Sequence, residues 1–246
     1  LESIRERELV LKHDIPARLH EFNELAGHQH LHKGMTSRDL TENVELILAS
    51  QATQLIETRT MSLLHILSEK AAEYSDVALV ARTHNVPAQP TTVGKRFAQV
   101  AEELLTAHEA LTDSSKRLKL SGIIGPVGSL ADQINLLGSA ELARKVEQQV
   151  GAEFGFSATM DSVGQVYPRS YDFELASRMF QLGSAPSNLA TTLRLMAGNE
   201  LSSEGFGKNQ VGSSAMPHKM NARSCERING LYQVLRGYQH MVESLL

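Results

Sequence analysis

Residues 36–73 read TSRDLTENVELILASQATQLIETRTMSLLHILSEKAAE, and the apolar side chains of this stretch recur at the spacing of an α-helix. The recurring positions are Leu40, Val44, Ile47, Leu48, Leu55, Ile56, Leu63, Ile66 and Leu67. Thr36 and Asp39 have the spacing of a capping box, which satisfies free backbone N–H groups where a helix starts. The stretch therefore predicts one helix over about residues 38–73, longer than most helices of globular proteins.

The same apolar periodicity predicts further long helices. They cover about residues 94–118, run from about residue 170 through Met196, and run from about residue 224 to the end, with shorter helices over about 15–26 and 139–150. Alternating strand patterns are nearly absent. We therefore predict an all-α protein built as an elongated bundle of long helices that share one core.

The composition is that of an ordinary folded protein. Of the 246 residues, 41% are hydrophobic and 21% are charged, and the formal net charge is -4. A mildly acidic chain has no global basic field that attracts phosphate backbones, so no nucleic acid is expected as a partner. No apolar run approaches the roughly 20 residues that span a bilayer, so we expect no membrane association.

The cysteine content and the two ends of the chain also carry information. Cys225 is the only cysteine, which excludes an intrachain disulfide framework and fits a reducing compartment, the cytoplasm by default. The chain does not begin with Met, and its end lies within a helical pattern that has no capping signal. We therefore expect it to be a piece of a longer polypeptide.

The segments between the predicted helices concentrate Gly, Pro, Ser, Thr, His and Asn. One of them, GSSAMPHKMN at residues 212–221, carries paired serines together with Lys219 and Asn221, and Arg227 follows it. A flexible linker also contains Gly and Ser, but Pro and Asn fix turns and Lys and Arg bind carboxylates. A serine that removes a proton from carbon needs a lowered pKa, which a nearby lysine and backbone N–H groups provide. The segment is therefore a candidate reactive loop.

Several loop histidines have structural as well as chemical explanations. His28, His30 and His32 alternate in GHQHLHK, a spacing that could bind a metal, but no Cys or second His pair lies nearby. Exposed side chains are therefore the favoured explanation for these three. His84 lies on an irregular segment ahead of a long helix, where it could exchange a proton near neutral pH or serve only a structural role.

Two further segments have competing explanations. Thr36 and Ser37 precede the long helix, where they could cap it, grip an anionic group with the free N–H groups of the helix start, or do both. The glycines of SGIIGPVGS at residues 121–129 lack the Gly-Lys-Ser/Thr that completes a phosphate loop, so a tight turn is favoured. No G-x-S-x-G elbow or S-x-x-K pair occurs, which argues against a serine hydrolase.

Four stretches together resemble a known family. GSSAMPHKMN is similar to the signature loop of the fumarase/aspartase superfamily, and within that superfamily the chain resembles the adenylosuccinate lyases. The matching stretches, in chain order, are HKGMTSRDLTEN, RTHNVPAQPTTVGKRFA, GQVYPRSYD and GSSAMPHKMNARSCER. His218 before Lys219 differs from the Gln-Lys of argininosuccinate lyases and the Gly-Lys of fumarases.

The resemblance implies a β-elimination that releases fumarate. The substrates would be adenylosuccinate, which gives AMP, and the related succinyl-aminoimidazole ribotide, and no metal or organic cofactor would take part. Ser213 would be the general base, with Ser214 as its hydrogen-bonding neighbour, and His84 would protonate the departing nitrogen. Lys219 would stabilise the developing carbanion charge.

The resemblance also implies the remaining site residues and the assembly. The substrate-binding positions would be His13, Asp14, His32, Thr36, Ser37, Thr83, Gln165, Ser214, Met216, Asn221 and Arg227. Residues 1–33 would end an N-terminal helical domain, and residues 34–246 would form an incomplete central long-helix domain. The partner would be further copies of the chain, in a homotetramer whose active sites are shared between subunits.

The sequence departs from the family pattern in two respects. Ala222 follows Asn221 where the family commonly has Pro, and the family's N-terminal phosphate-binding residues and C-terminal contacts lie outside this sequence. Two alternatives therefore stay open: another superfamily lyase such as argininosuccinate lyase, or a catalytically silent helical scaffold. The presence of His84, Ser213 and Lys219 together argues against the scaffold.

Overall fold

The computed structural model describes residues 1–246, and helices are its predominant secondary structure. Eight helices and one two-stranded sheet follow one another in the order α1 (Glu2–Leu11), α2 (Asp14–Ala26), α3 (Ser37–Glu73), β1 (Ala78–Thr83), β2 (Val86–Thr92), α4 (Val93–Lys116), α5 (Ala131–Leu137), α6 (Ala140–Glu153), α7 (Ser170–Gly198) and α8 (Arg223–Glu243). The predicted all-α class is confirmed, and the long helix that begins at the capping box covers 37 residues.

The small sheet corrects the description of residues 81–92 as irregular. β1 and β2 pair antiparallel, with Ala78 opposite Thr92 and Thr83 opposite Val86. Pro87 and Pro90 lie in β2 and donate no ladder hydrogen bonds, which hides the strand from a sequence pattern but is tolerated on a strand with a free edge. Because the hairpin is exposed on both strands, it also shows little of the alternation that identifies a half-buried strand.

The chain divides into two compact units. Unit 1 contains residues 1–51 and 118–168, and unit 2 contains residues 52–117 and 169–246. Helix α3 contributes its first part to unit 1 and the remainder to unit 2. The domain division expected from the sequence, 1–33 and 34–246, stays a prediction.

Unit 1 is built from shorter elements around the start of α3. Helix α1 packs on α2, and α5 packs on α6. The buried apolar side chains of this unit come from both chain segments: Ile15, Ala17, Leu46, Leu118, Leu120, Ile124, Ala143, Phe156 and Tyr167. The long connection after α6 runs back beside the start of the second segment, since the backbone N–H of Met160 donates to the carbonyl of Leu120 at 2.8 Å.

Unit 2 is a bundle in which α7 packs against both α4 and α8. Its buried apolar side chains include Leu104, Ala107, Leu111, Leu175, Leu182, Ala185 and Ala190. Phe180 of α7 stacks on Tyr232 of α8 with ring centroids 4.8 Å apart. The amide of Asn229 donates to the carbonyl of Ser187 at 2.9 Å, so polar as well as apolar contacts join these two helices.

Large apolar side chains remain exposed along α3 and α8. On α3 they are Val44, Leu48, Leu55, Met61 and Ile66, and on α8 they are Ile228, Leu231, Val234, Tyr238 and Met241. Exposed apolar side chains that follow one another along a helix are typical of a surface that contacts another protein. None of the helices is both long enough and apolar enough to cross a membrane.

Candidate active site

The start of α3 is organised by the carboxylate of Asp39. The backbone N–H of Thr36 donates to Asp39 Oδ2 at 2.8 Å, which is one of the two bonds of the predicted capping box. Asp39 is only 3% exposed, and its carboxylate also accepts the N–H groups of Ile124 at 2.9 Å and Gly125 at 3.2 Å. One side chain therefore caps the helix and holds the glycine segment against it.

Two more polar side chains hold residues 121–129 in place. Asn43 accepts from the N–H of Gly122 at 3.2 Å and donates to its carbonyl at 2.9 Å. Glu147 of α6 accepts the N–H of Ile123 at 2.8 Å. Burial raises the pKa of Glu147, although the hydrogen bond from Ile123 and the charge of Arg144 oppose that shift. The segment is the tight turn favoured by its sequence, and protein oxygens occupy the backbone donors of residues 122–125.

The segment GQVYP is brought to the start of α3 by a second buried acid. Glu42, which is 1% exposed, accepts the backbone N–H of Tyr167 at 3.1 Å. Gln165 Nε2 then lies 3.4 Å from Thr36 Oγ1. Two predicted substrate-binding residues are therefore neighbours, and Ser37 follows Thr36 as the first residue of α3.

The other predicted site residues of unit 1 form no hydrogen bond with this pair. His13 immediately precedes α2, and its Nδ1 lies 3.4 Å from Asp14 Oδ1. His32 has a left-handed backbone conformation with φ of 65°. The rings of His28 and His30 lie 4.7 Å apart, and no group of three or more metal-ligating residues occurs in the chain.

In unit 2, the β-hairpin presents His84 at its turn. His84 and Asn85 are the two turn residues, with φ of 51° and 64°, the values that a type I′ hairpin turn requires. Arg82 closes the turn by donating to the carbonyl of Asn85 at 2.8 Å. Thr83 is the last residue of β1 and pairs with Val86. The turn leaves the imidazole of His84 exposed to solvent, where a bound molecule could contact it.

Residues 212–221, the signature loop, hold the oxygen of Ser213 between backbone donors. The N–H groups of Met216 and Ala215 donate to Ser213 Oγ at 3.2 Å and 3.4 Å. Both bonds favour negative charge on that oxygen. These backbone groups are the partners of Ser213 in this structure, and the hydrogen-bonding role expected for Ser214 stays a prediction.

The base of the signature loop is closed tightly at Gly212. Asn221 Nδ2 donates to the carbonyl of Gly212 at 2.8 Å. A side chain at Gly212 would overlap the carbonyl oxygen of Lys219 and approach Phe206 at 3.0 Å, so the close approach requires glycine. Lys219 is held further by a bond from its N–H to the carbonyl of Met216 at 3.0 Å. The backbone of Lys219 and the side chain of Asn221 are thus held in place within the loop that carries Ser213.

A pocket of about 570 Å³ opens beside Lys219 and Asn221 and includes Arg194 and Glu226 in its lining. Sequence reasoning selected Arg227 on α8 and missed Glu226. The signal was available, because Ala222 and Glu226 are four residues apart at the start of a helix and so share a face. Arg227 is the fifth residue of α8 and is exposed. No hydrogen bond or ion pair connects His84 with the signature loop.

Comparison with known protein families finds one family along almost the whole chain. The model of the family described as lyase matches residues 7–237. Among solved structures, 3-carboxy-cis,cis-muconate lactonizing enzyme from Pseudomonas putida superimposes with a TM-score of 0.73 and covers 91% of this chain and 53% of its own. At 23% sequence identity, that likeness shows the shared fold alone.

Curated relatives at higher identity carry one name. Adenylosuccinate lyase of Saccharomyces cerevisiae is 31% identical over 228 residues, covering 92% of this chain and 47% of the relative. The enzyme of the same name from Archaeoglobus fulgidus is 31% identical over 239 residues, covering 96% and 52%. That from Caenorhabditis briggsae is 32% identical over 237 residues, covering 94% and 49%. The chain spans about half the length of the curated relatives it matches.

Proposed function

The chain belongs to the lyase family, and from that premise we propose that it is part of a carbon–nitrogen lyase that releases fumarate from adenylosuccinate, leaving AMP. The same chemistry would act on the related succinyl-aminoimidazole ribotide of purine biosynthesis. The names of the relatives support this substrate class. The observation that carries the proposal is the oxygen of Ser213, which accepts two backbone N–H groups inside the signature loop.

Ser213 is the proposed general base. The deprotonated oxygen takes the proton from the carbon beside a succinyl carboxylate, and the electron pair left on that carbon forms the double bond of fumarate as the carbon–nitrogen bond breaks. The departing nitrogen takes its proton from His84, the proposed general acid. The N–H groups of Ala215 and Met216 favour the anionic serine that this step requires.

Lys219 and Asn221 are the proposed electrostatic stabilisers. Proton removal beside a carboxylate spreads negative charge onto that carboxylate, so cationic and amide groups fixed in advance lower the barrier. The closure of the loop at Gly212 supports this role, because the Asn221 side chain and the Lys219 backbone are held before substrate binds. Arg194 and Glu226 line the same pocket and are added to the proposed binding site.

The start of α3 is the proposed site for an anionic part of the substrate. Thr36, Ser37 and Gln165 lie there together, and free N–H groups at a helix start favour anions. The remaining proposed binding residues are His13, Asp14, His32, Thr83, Ser214, Met216 and Arg227. No cofactor enters the proposed reaction, since proton transfer and charge stabilisation by side chains account for each step.

We also propose that the complete protein is a cytoplasmic homotetramer whose subunits share active sites. The exposed apolar side chains along α3 and α8 support subunit contacts on those helices. Mixing two inactive variants of the full-length protein, Ser213→Ala and His84→Ala, tests the sharing. Activity regained after subunit exchange would support it, and a mixture as inactive as its parts would refute it.

The reaction is tested by following the absorbance of adenylosuccinate with the purified full-length protein. Loss of that absorbance with formation of AMP and fumarate is the expected result. Parallel reactions with argininosuccinate distinguish the proposed activity from that of an argininosuccinate lyase. Turnover of argininosuccinate alone would overturn the substrate assignment, and no turnover of either substrate would favour a silent scaffold.

A further inference from the structure

Helix α8 begins directly behind the signature loop but lacks a capping side chain of its own. Its N-cap residue is Ala222, whose side chain has no oxygen that could accept a hydrogen bond. The first N–H groups of a helix have no partner within the helix and need one from elsewhere. An Ala at this position is therefore among the poorest caps, unless another part of the chain supplies the acceptor.

Glu204, which lies ahead of the signature loop, supplies that acceptor. Its Oε1 accepts the N–H of Cys225 at 2.6 Å, and its Oε2 accepts the N–H of Ser224 at 3.2 Å. The carboxylate thus occupies both free donors and brings a negative charge to the positive end of the helix dipole. The Cys225 side chain beside it is buried, with 4% of its surface exposed.

The cap of Glu204 makes a second closure around the reactive loop. The inner closure joins Asn221 to Gly212. The outer closure joins Glu204 to Ser224 and Cys225. These bonds hold the two ends of segment 205–223 next to each other. The direction of α8, and with it the position of the loop end that carries Asn221, depends on this outer closure.

We propose that Glu204 is a positioning residue for the elimination. By capping α8 from outside the helix, it fixes the end of the signature loop and thereby holds Lys219 and Asn221 at their places beside the pocket. Glu204 neither touches the substrate nor exchanges a proton in this role. The inference rests on the proposed function, since the positioned groups are those that would stabilise the reacting carboxylate.

The electrostatics of Glu204 agree with a carboxylate that acts as a fixed acceptor. Burial alone raises the pKa of Glu204, but the hydrogen bonds from Cys225 and Ser224 together outweigh it and lower the pKa below its ordinary value. The group is therefore ionised throughout the neutral range. Conversely, burial and the neighbouring Glu204 raise the pKa of the Cys225 thiol to about 11, which makes its alkylation a sensitive indicator of whether the cap is intact.

The test compares three variants of the full-length protein with the wild type. Glu204→Ala removes both acceptors, Glu204→Gln keeps one acceptor oxygen without the charge, and Glu109→Gln is the matched control at an exposed position of α4. Small displacements of catalytic groups cost rates on the order of 100-fold. We expect a kcat loss of that order for Glu204→Ala and a smaller loss for Glu204→Gln. KM should change much less, and Glu109→Gln should match the wild type.

A second measurement separates positioning from general stability. Alkylation of Cys225 by iodoacetamide, mapped by mass spectrometry of its peptide, is expected to accelerate in Glu204→Ala while far-UV circular dichroism stays that of the wild type. A kcat loss that only follows a loss of folded protein would overturn the inference, as would a wild-type kcat in either Glu204 variant. If Glu204→Ala fails to fold, the kcat of Glu204→Gln alone tests the inference. A wild-type protein without lyase activity refutes the proposed function instead.

Discussion

Replacing Asp39 with Ala should destabilise unit 1 more than any surface substitution. The carboxylate of Asp39 accepts the N–H groups of Thr36, Ile124 and Gly125. The alanine would leave those three donors without this acceptor, and the two on Ile124 and Gly125 are buried away from solvent. It would also remove the contact that holds the glycine segment against the start of α3.

The magnitude follows from the burial of the donors. The bonds from Ile124 and Gly125 are buried, whereas that from Thr36 is partly exposed and can be replaced by water. A buried donor left unsatisfied costs about 1–3 kcal/mol, so two of them cost about 2–6 kcal/mol in the free energy of unfolding. Typical domains are stable by about 5–15 kcal/mol, so this loss is a large share of the total.

Urea unfolding followed by far-UV circular dichroism measures this loss. Asp161→Ala is the matched control, because the Asp161 side chain is 96% exposed and forms only a surface ion pair with Lys119 at 3.5 Å. Such pairs contribute at most about 1 kcal/mol. Asp39→Asn should lie between the control and Asp39→Ala, since its amide offers one acceptor oxygen. A loss below about 1 kcal/mol for Asp39→Ala would refute the assigned role of the carboxylate.

Three further outcomes are expected for variants of the full-length protein. Ser213→Ala should abolish elimination but leave substrate binding, measured by calorimetry, largely intact; near-normal turnover would mean that the base is another group. Gly212→Ala should cost about 1–3 kcal/mol of stability through overlap with Lys219, together with most of kcat, and unchanged unfolding curves would contradict the close packing. Burial raises the pKa of Glu147 in the folded protein, which therefore favours the protonated carboxyl group. The stability that this preference contributes is fully present below the ordinary pKa of 4.5. It is lost as the pH rises through the raised pKa. Glu147→Gln should therefore gain stability relative to the wild type between about pH 4 and pH 7, and a constant difference in urea unfolding across this range would contradict that sign.

The long helices were predictable because each buries an apolar face over many turns. Helix α3 begins at Ser37 and ends at Glu73, within one residue of the bounds predicted from its periodicity and capping box. Helices α1 and α5 were not predicted. Both are short, at 10 and 7 residues, and α1 has no buried residue, so neither imposes a strong apolar pattern on its sequence.

The local parts of the candidate site could be read from the sequence, and the long-range parts could not. The bond between Thr36 and Asp39 spans three residues and follows a known capping pattern. The bonds from Asp39 to Ile124 and from Glu204 to Cys225 span 85 and 21 residues. Such bonds join side chains to backbone N–H groups, which every residue type except proline provides, so no residue pattern identifies the partner.

Acidic side chains order the loops of this protein, while the groups proposed to react stay exposed or half-buried. Asp39 and Glu204 each cap a long helix and hold an adjoining loop segment. Both acids are therefore expected to influence the reaction only through position and stability, whereas Ser213 and Lys219 are the residues proposed to act directly on the substrate. Changes at the acids should alter unfolding or loop order together with rate. Changes at the reacting groups should alter rate with little effect on unfolding, and this contrast distinguishes the two roles experimentally.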